Sequence, residues 1–331
     1  MKDGKKAIHR IISMLLAVFV AVSLCACSFI IEAEEHTVTY VCNNGEEPKT
    51  KTVTANSVHT APLAPEKENY IFRGWYEDED LQTEYQFGKI LTEDITLYAA
   101  WDLDFEKTTN SLTTEYMKAN LKIRSVYMKN GFFGASPTGD GATGSGVIFN
   151  LRDGFYYALT NYHVIDYPDS ADFSEYTVID AFGNEYEGEV VKKNSAYDLA
   201  IIKFSKGEEE LRVLEIDDRI PCEEEVIVAI GQPKGQFNAI TYGKIIDYEE
   251  IASETEEETL KKVEFEVLWH TAYLNRGSSG GALLSADLKI IGINYASSTK
   301  EGGVFQYGFA IPAAKVLEFL GSYANTAPVS N

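Results

Sequence analysis

Apolar positions along the chain fall into three regimes. Residues 11–26, Ile-Ile-Ser-Met-Leu-Leu-Ala-Val-Phe-Val-Ala-Val-Ser-Leu-Cys-Ala, form one uncharged, mostly apolar stretch. Residues 36–102 carry short strand patterns. Residues 36–41 alternate and end at the turn Asn43-Asn44-Gly45, and 51–53 is a second candidate. Pro62 and Pro65 then break the chain, Tyr70-Ile71-Phe72-Arg73-Gly74-Trp75-Tyr76 is an aromatic strand, and 94–101 closes the unit. From about residue 123, short β-rich runs recur at 146–149, 156–160, 186–191, 199–204, 226–230, 240–246, 263–269, 282–285 and 290–295. Within 263–269 the residues Val263, Phe265, Val267 and Trp269 alternate with Glu264, Glu266 and Leu268, the period of a half-buried strand. Gly, Pro, Asn and Asp mark the gaps, as in a β-barrel or sandwich. Two helices are predicted. Leu112, Tyr116, Met117 and Leu121 space one amphipathic helix within 103–122, and 313–321 forms another that stops at Gly321. The acidic run 249–258 reads as a solvated loop.

Charge narrows the function classes. The formal net charge is -22, from 29 Lys and Arg against 51 Asp and Glu. A nucleic-acid partner needs basic residues to neutralise phosphate, so none is expected. The first segment is a targeting signal: Lys2, Lys5, Lys6 and Arg10 precede an apolar stretch too short for a membrane span. It ends in Leu24-Cys25-Ala26-Cys27, which resembles a bacterial lipobox. That resemblance implies cleavage before Cys27, a lipid on its thiol and an anchor on the outer face of the cell membrane. Residues 1–26 would then be the signal and 27–35 a linker. Cys42 and Cys222 lie far apart in different predicted domains, so no disulfide framework is expected. No His or Cys cluster has metal-ligand spacing, and no metal or cofactor is expected.

The chemistry concentrates at Gly277-Ser278-Ser279-Gly280-Gly281. A serine attacking a carbonyl needs backbone N–H donors aimed at the oxyanion that forms. Glycines around the serine let the chain turn to present them. Two further segments fit. In Leu159-Thr160-Asn161-Tyr162-His163-Val164-Ile165 a histidine follows a β-rich run, in a polar break read as a loop. Its Nε2 can take the serine proton. In Ala196-Tyr197-Asp198-Leu199-Ala200-Ile201-Ile202 an aspartate stands at the mouth of a buried strand, where it can fix the histidine tautomer. The candidate triad is Ser279, His163 and Asp198.

These segments resemble the trypsin-like peptidases of the HtrA/DegP type, as do Thr143-Gly144-Ser145-Gly146-Val147-Ile148, Ala229-Ile230-Gly231-Gln232-Pro233 and Gly308-Phe309-Ala310-Ile311-Pro312. The resemblance spans nearly all of 123–321. It implies a mostly β, chymotrypsin-like pair of six-stranded antiparallel barrels with the triad between them. It also implies a serine endopeptidase acting on protein or peptide substrates outside the cytoplasm. Gly277 and Ser279 would supply the oxyanion N–H groups. Tyr273, Asn294 and Ala296 would shape the specificity pocket, and a tyrosine at its floor implies small or medium apolar residues before the cut bond. Arg276 and Ser278 depart from the family's usual Pro and Asn. Residues 322–331 are a tail, and no PDZ module is expected after it. In 36–102, Gly74-Trp75-Tyr76 and Trp101 resemble the internalin-type B repeat of bacterial surface proteins. Its aromatics are expected to form the core of that small β-rich unit, and a cell-surface ligand is the other role they could serve. The rival to an enzyme is a catalytically silent surface-binding protein built on a protease-like scaffold.

Overall fold

The computed structural model describes residues 34–235, 238–250, 263–300 and 302–323. The targeting segment, Cys27 and most of the acidic run 249–258 lie outside them. The chain divides into two compact units, Met1–Asp102 and Leu103–Asn331.

The first unit is a four-stranded sheet of β1 (Glu35–Val41), β2 (Lys49–Thr54), β3 (Tyr70–Tyr76) and β4 (Ile95–Leu103), in the order β2-β1-β4-β3. Its core holds Val38, Tyr40, Trp75 and Leu97. Trp75 packs edge-on against Tyr40 and Phe72, and Trp101 donates its indole N–H to the Cys42 carbonyl at 2.9 Å. So small a unit has few other bulky side chains to exclude water, and its aromatics do that work. His59 is buried between the Tyr40 and Tyr85 hydroxyls, at 2.7 and 2.9 Å.

The second unit opens with α1 (Phe105–Thr114), capped by the Asp104 carboxylate on the Lys107 N–H. A 3-10 turn at Tyr116–Ala119 then leads into β5 (Asn120–Gly131). The predicted helix through Leu121 therefore ends early, and Leu121 is a strand residue. Burial explains the change: Leu121, Ile123 and Ser125 face one core at period two.

Six strands close the first barrel: β5, β6 (Gly134–Arg152), β7 (Phe155–Asn161), β8 (Phe173–Ile179), β9 (Glu185–Asn194) and β10 (Leu199–Ser205), in the order β10-β7-β6-β5-β8-β9. A one-turn helix α2 (Tyr162–Ile165) follows β7. The second barrel comprises β11 (Val226–Gly231), β12 (Ala239–Glu249), β13 (Val267–His270), β14 (Ala282–Ser285), β15 (Ile290–Lys300) and β16 (Val304–Pro312), in the order β11-β12-β13-β16-β15-β14. Helix α3 (Ala313–Leu320) ends at Gly321, whose positive φ of 56° releases the chain. The fold is mostly β, with two closed six-stranded antiparallel barrels. One continuous core runs through both, from Leu121, Ile148 and Leu159 to Val228, Ile293 and Ile311.

A buried base in the second barrel sets an acid limit on stability. His270 is fully buried on β13, and neither ring nitrogen has a hydrogen-bond partner among the described residues. Burial pushes its pKa down to about 4. The unfolded chain, with an ordinary imidazole, takes up a proton below about pH 6.5 that the folded chain refuses. Stability should therefore fall by about 3 kcal/mol as the pH drops from 6.5 to 4. Urea unfolding at several pH values checks this: His270→Gln should show a shallower acid slope than the parent, and equal slopes would refute it.

Candidate active site

Strand register brings the His and Asp together. Strands β7 and β10 are antiparallel neighbours, with Leu199 opposite Asn161. The residue entering β10 therefore lies beside the residues leaving β7. Asp198 enters one and His163 leaves the other, on α2 and not on the loop its polar surroundings suggested.

Asp198 is completely buried and adopts a left-handed φ of 49°. Its carbonyl accepts from the Tyr162 N–H and the Asn161 side-chain amide, each at 3.0 Å. Its carboxylate accepts twice from His163, from the backbone N–H at 3.0 Å and from Nδ1 at 2.8 Å. An ionised carboxylate only accepts, so Nδ1 carries the proton of the neutral ring and Nε2 keeps a lone pair. Nε2 has no partner among the described residues, and the ring is partly exposed to a cleft of about 740 Å³.

Ser279 lines the same cleft with Leu274, Asn275, Arg276, Tyr295 and Ala296. Its hydroxyl donates to the Tyr295 carbonyl at 3.2 Å and not to His163. Catalytic hydrogen bonds of this kind often tighten only when substrate binds. The Tyr295 phenol sits buried near Asp198. Burial, with that negative charge added, pushes its pKa well up, so it stays neutral.

The loop before β14 is fixed on all sides. Ser278 donates its N–H to the Asn275 carbonyl, and Gly280 donates to the Asn294 carbonyl on β15. The Arg276 carbonyl accepts from the Lys234 N–H at 2.7 Å, and the Ser278 carbonyl from Gly281 at 3.0 Å. In a trans peptide C=O and N–H point opposite ways. The Gly277 and Ser279 N–H groups thus point away from those bonds, and neither has an acceptor among the described residues. Gly277 holds φ at 98°, a conformation that favours glycine.

The residues assigned to a specificity pocket separate. Ala296 lines the cleft, whereas Tyr273 and Asn294 do not. Residues 271–274 alternate exposed and buried, so Leu274 faces in and Tyr273 faces out. The Tyr273 ring packs on Phe305 and its hydroxyl meets the Asn275 amide. Asn294 is buried in the barrel wall, donating to the Ala282 carbonyl. Tyr273 instead lines a second, smaller cavity with Leu274 and Ser278.

Known proteins resemble this chain over two stretches. Residues 144–293, which include His163, Asp198 and Ser279, match the family described as "Trypsin-like peptidase domain". Bacterial proteases also resemble this part of the chain. The probable periplasmic serine endoprotease DegP-like of Buchnera aphidicola is 34% identical over 172 residues, 52% of this chain and 34% of the relative. The serine protease Do-like HtrA of Bacillus subtilis is 32% identical over 180 residues, 54% of this chain and 38% of the relative. That of Lactococcus lactis is 29% identical over 237 residues, 68% of this chain and 57% of the relative. The chain thus spans only about a third of the first two relatives' length. A solved HtrA-type protease, AlgW with a tripeptide, superposes with a TM-score of 0.50 at 27% identity, covering 67% of this chain and 65% of the other. Residues 36–100 match the "Listeria-Bacteroides repeat domain".

Four residues around the candidate site were given no role by the sequence. Asn161 braces the Asp198 carbonyl, Tyr295 offers the carbonyl that holds Ser279, Arg276 adds a charge, and Ser145 reaches across from β6. Ser145 Oγ donates to the Gly277 carbonyl and accepts from the Gln232 N–H, while the Ser145 N–H donates to the Ser279 carbonyl. Ser145 and Asn161 left a trace in the sequence inside the motifs Thr143-Gly144-Ser145-Gly146 and Thr160-Asn161-Tyr162-His163, and Arg276 did so as a departure from the family's usual Pro.

Proposed function

We propose that this chain is a serine endopeptidase that cuts extracytoplasmic proteins through an acyl-enzyme. The observation that carries this reading is Asp198, fully buried, gripping His163 by both ring and backbone in the cleft that holds Ser279. His163 Nε2 takes the Ser279 proton as Oγ attacks the peptide carbonyl. The Gly277 and Ser279 N–H groups receive the oxyanion. His163 passes the proton to the leaving amine, and a water activated by the same nitrogen hydrolyses the ester. Relatives named periplasmic endoproteases support an extracytoplasmic site of action. The apolar segment 11–26 and Cys27 support a lipid anchor at the membrane, and the repeat unit is suited to a cell-surface ligand.

A fluorophosphonate probe tests the reading. It should label the intact protein on a serine and fail to label Ser279→Ala, while His163→Ala should slow labelling by at least about 10³-fold. Equal labelling of parent and Ser279→Ala would sink the proposal in favour of a silent scaffold.

A further inference from the structure

Among the described residues, Arg276 is the one permanently cationic side chain in the wall of the cleft that holds His163 and Ser279. Its backbone is pinned on both sides: its N–H donates to Asn275 Oδ1 at 2.8 Å and its carbonyl accepts from Lys234. Its side chain is exposed, and no carboxylate among the described residues pairs with it. Arg73 and Arg212, which also lack a carboxylate, lie over the Tyr76 and Tyr116 rings, whereas Arg276 faces the cleft. Arg124 pairs with Glu185, and Arg219 with Asp217 and Glu225. The other titratable groups in the cleft are already engaged or neutral. Asp198 holds His163, Asp166 on the opposite wall bonds Tyr162, and the Tyr295 phenol stays protonated.

We infer that Arg276 makes the peptidase selective for acidic peptides, its guanidinium pairing with an Asp or Glu side chain within two residues of the cut bond. This rests on the peptidase reading above. Arg276 directly precedes Gly277, whose N–H faces the reacting carbonyl in that reading, and successive Cα atoms are only about 3.8 Å apart. The planar fork of an arginine matches a carboxylate in two parallel hydrogen bonds. Lys234, whose backbone N–H bonds the Arg276 carbonyl, adds positive charge nearby.

The test uses the full chain and pairs of fluorogenic peptides that differ only in Glu against Gln at each position within two residues of the cut bond. At one of those positions the parent should show a Glu:Gln ratio of kcat/KM of about five or more at low salt, shrinking as salt rises. Arg276→Gln should bring the ratio to about one, Arg276→Lys should keep part of it, and Arg276→Glu should shift preference to Lys. A parent ratio of one at every position, or a ratio unchanged in Arg276→Gln, overturns the inference. Should Arg276→Gln misfold, the Lys variant and the parent's salt dependence still decide. If the parent cuts no peptide and takes no fluorophosphonate, the peptidase reading fails and takes the inference with it. If it is labelled and cuts without the ratio, only the acidic preference falls.

Discussion

Asp198→Asn is expected to lower kcat/KM for any peptide by about 10⁴-fold, the size of a tautomer swap in other triads, and to leave the fold intact. An asparagine still offers one oxygen to the His163 backbone N–H, so α2 keeps its anchor. Toward Nδ1, however, it can present an NH₂ donor. The ring then avoids a donor–donor clash by moving its proton to Nε2, and Nε2 can no longer accept from Ser279. Complete burial of position 198 leaves no water to restore the original tautomer. Steady-state kinetics with a melting curve on the same sample would settle the point. A drop of less than about tenfold would mean that the carboxylate does not govern the ring.

Gly280→Ala should disrupt the fold severely for a single added methyl. Gly280 has φ of 88°, and a Cβ there would stand 2.1 Å from the Ser145 carbonyl oxygen and 2.5 Å from the Thr160 hydroxyl. Neither neighbour can retreat. Thr160 Oγ1 donates to that same carbonyl at 2.7 Å, inside the paired strands of the first barrel. The overlap should destabilise the protein by more than about 3 kcal/mol and remove fluorophosphonate labelling. Gly302→Ala is the matched control. Its φ of 86° is equally unfavourable for alanine, but nothing lies within 4 Å, so it should lose only about 1 kcal/mol. Equal denaturation midpoints for the two variants would show that steric contact at Gly280 is not what matters.

What was legible in the sequence was whatever chemistry and period fix locally. Strand β14 matches the predicted 282–285 in full, because four consecutive apolar or small residues sit between glycines and a turn. The Ser279, His163 and Asp198 segments stand out because each places one reactive side chain at the end of an apolar run. Strands β5, β8 and β16 leave a weaker signal. On β5 the inward series continues through Ser125, whose hydroxyl is satisfied by the Val164 carbonyl, so apolar periodicity lapses while burial does not. On β16, Gly308 interrupts the pattern because the His270 ring fills the space a side chain would need. Strand β13 is shorter than the alternation from Val263 implies, since only Val267–His270 finds partners on β12 and β16. The outward turn of Tyr273 could not be seen at all. It depends on which face of an extended segment meets the cleft, and a shift of one residue exchanges the two.

Ser145 ties the two barrels at the point where reaction is proposed to occur. From β6 of one barrel it bonds the carbonyls of Gly277 and Ser279 in the other, and also the Gln232 backbone. The nucleophile's loop is therefore a joint as well as a tool. The barrels cannot part along that seam without freeing the peptide groups that flank those proposed to receive the oxyanion. Loss of competence and separation of the halves become one event, so a partly opened molecule would be disarmed before it could cut itself or a bystander.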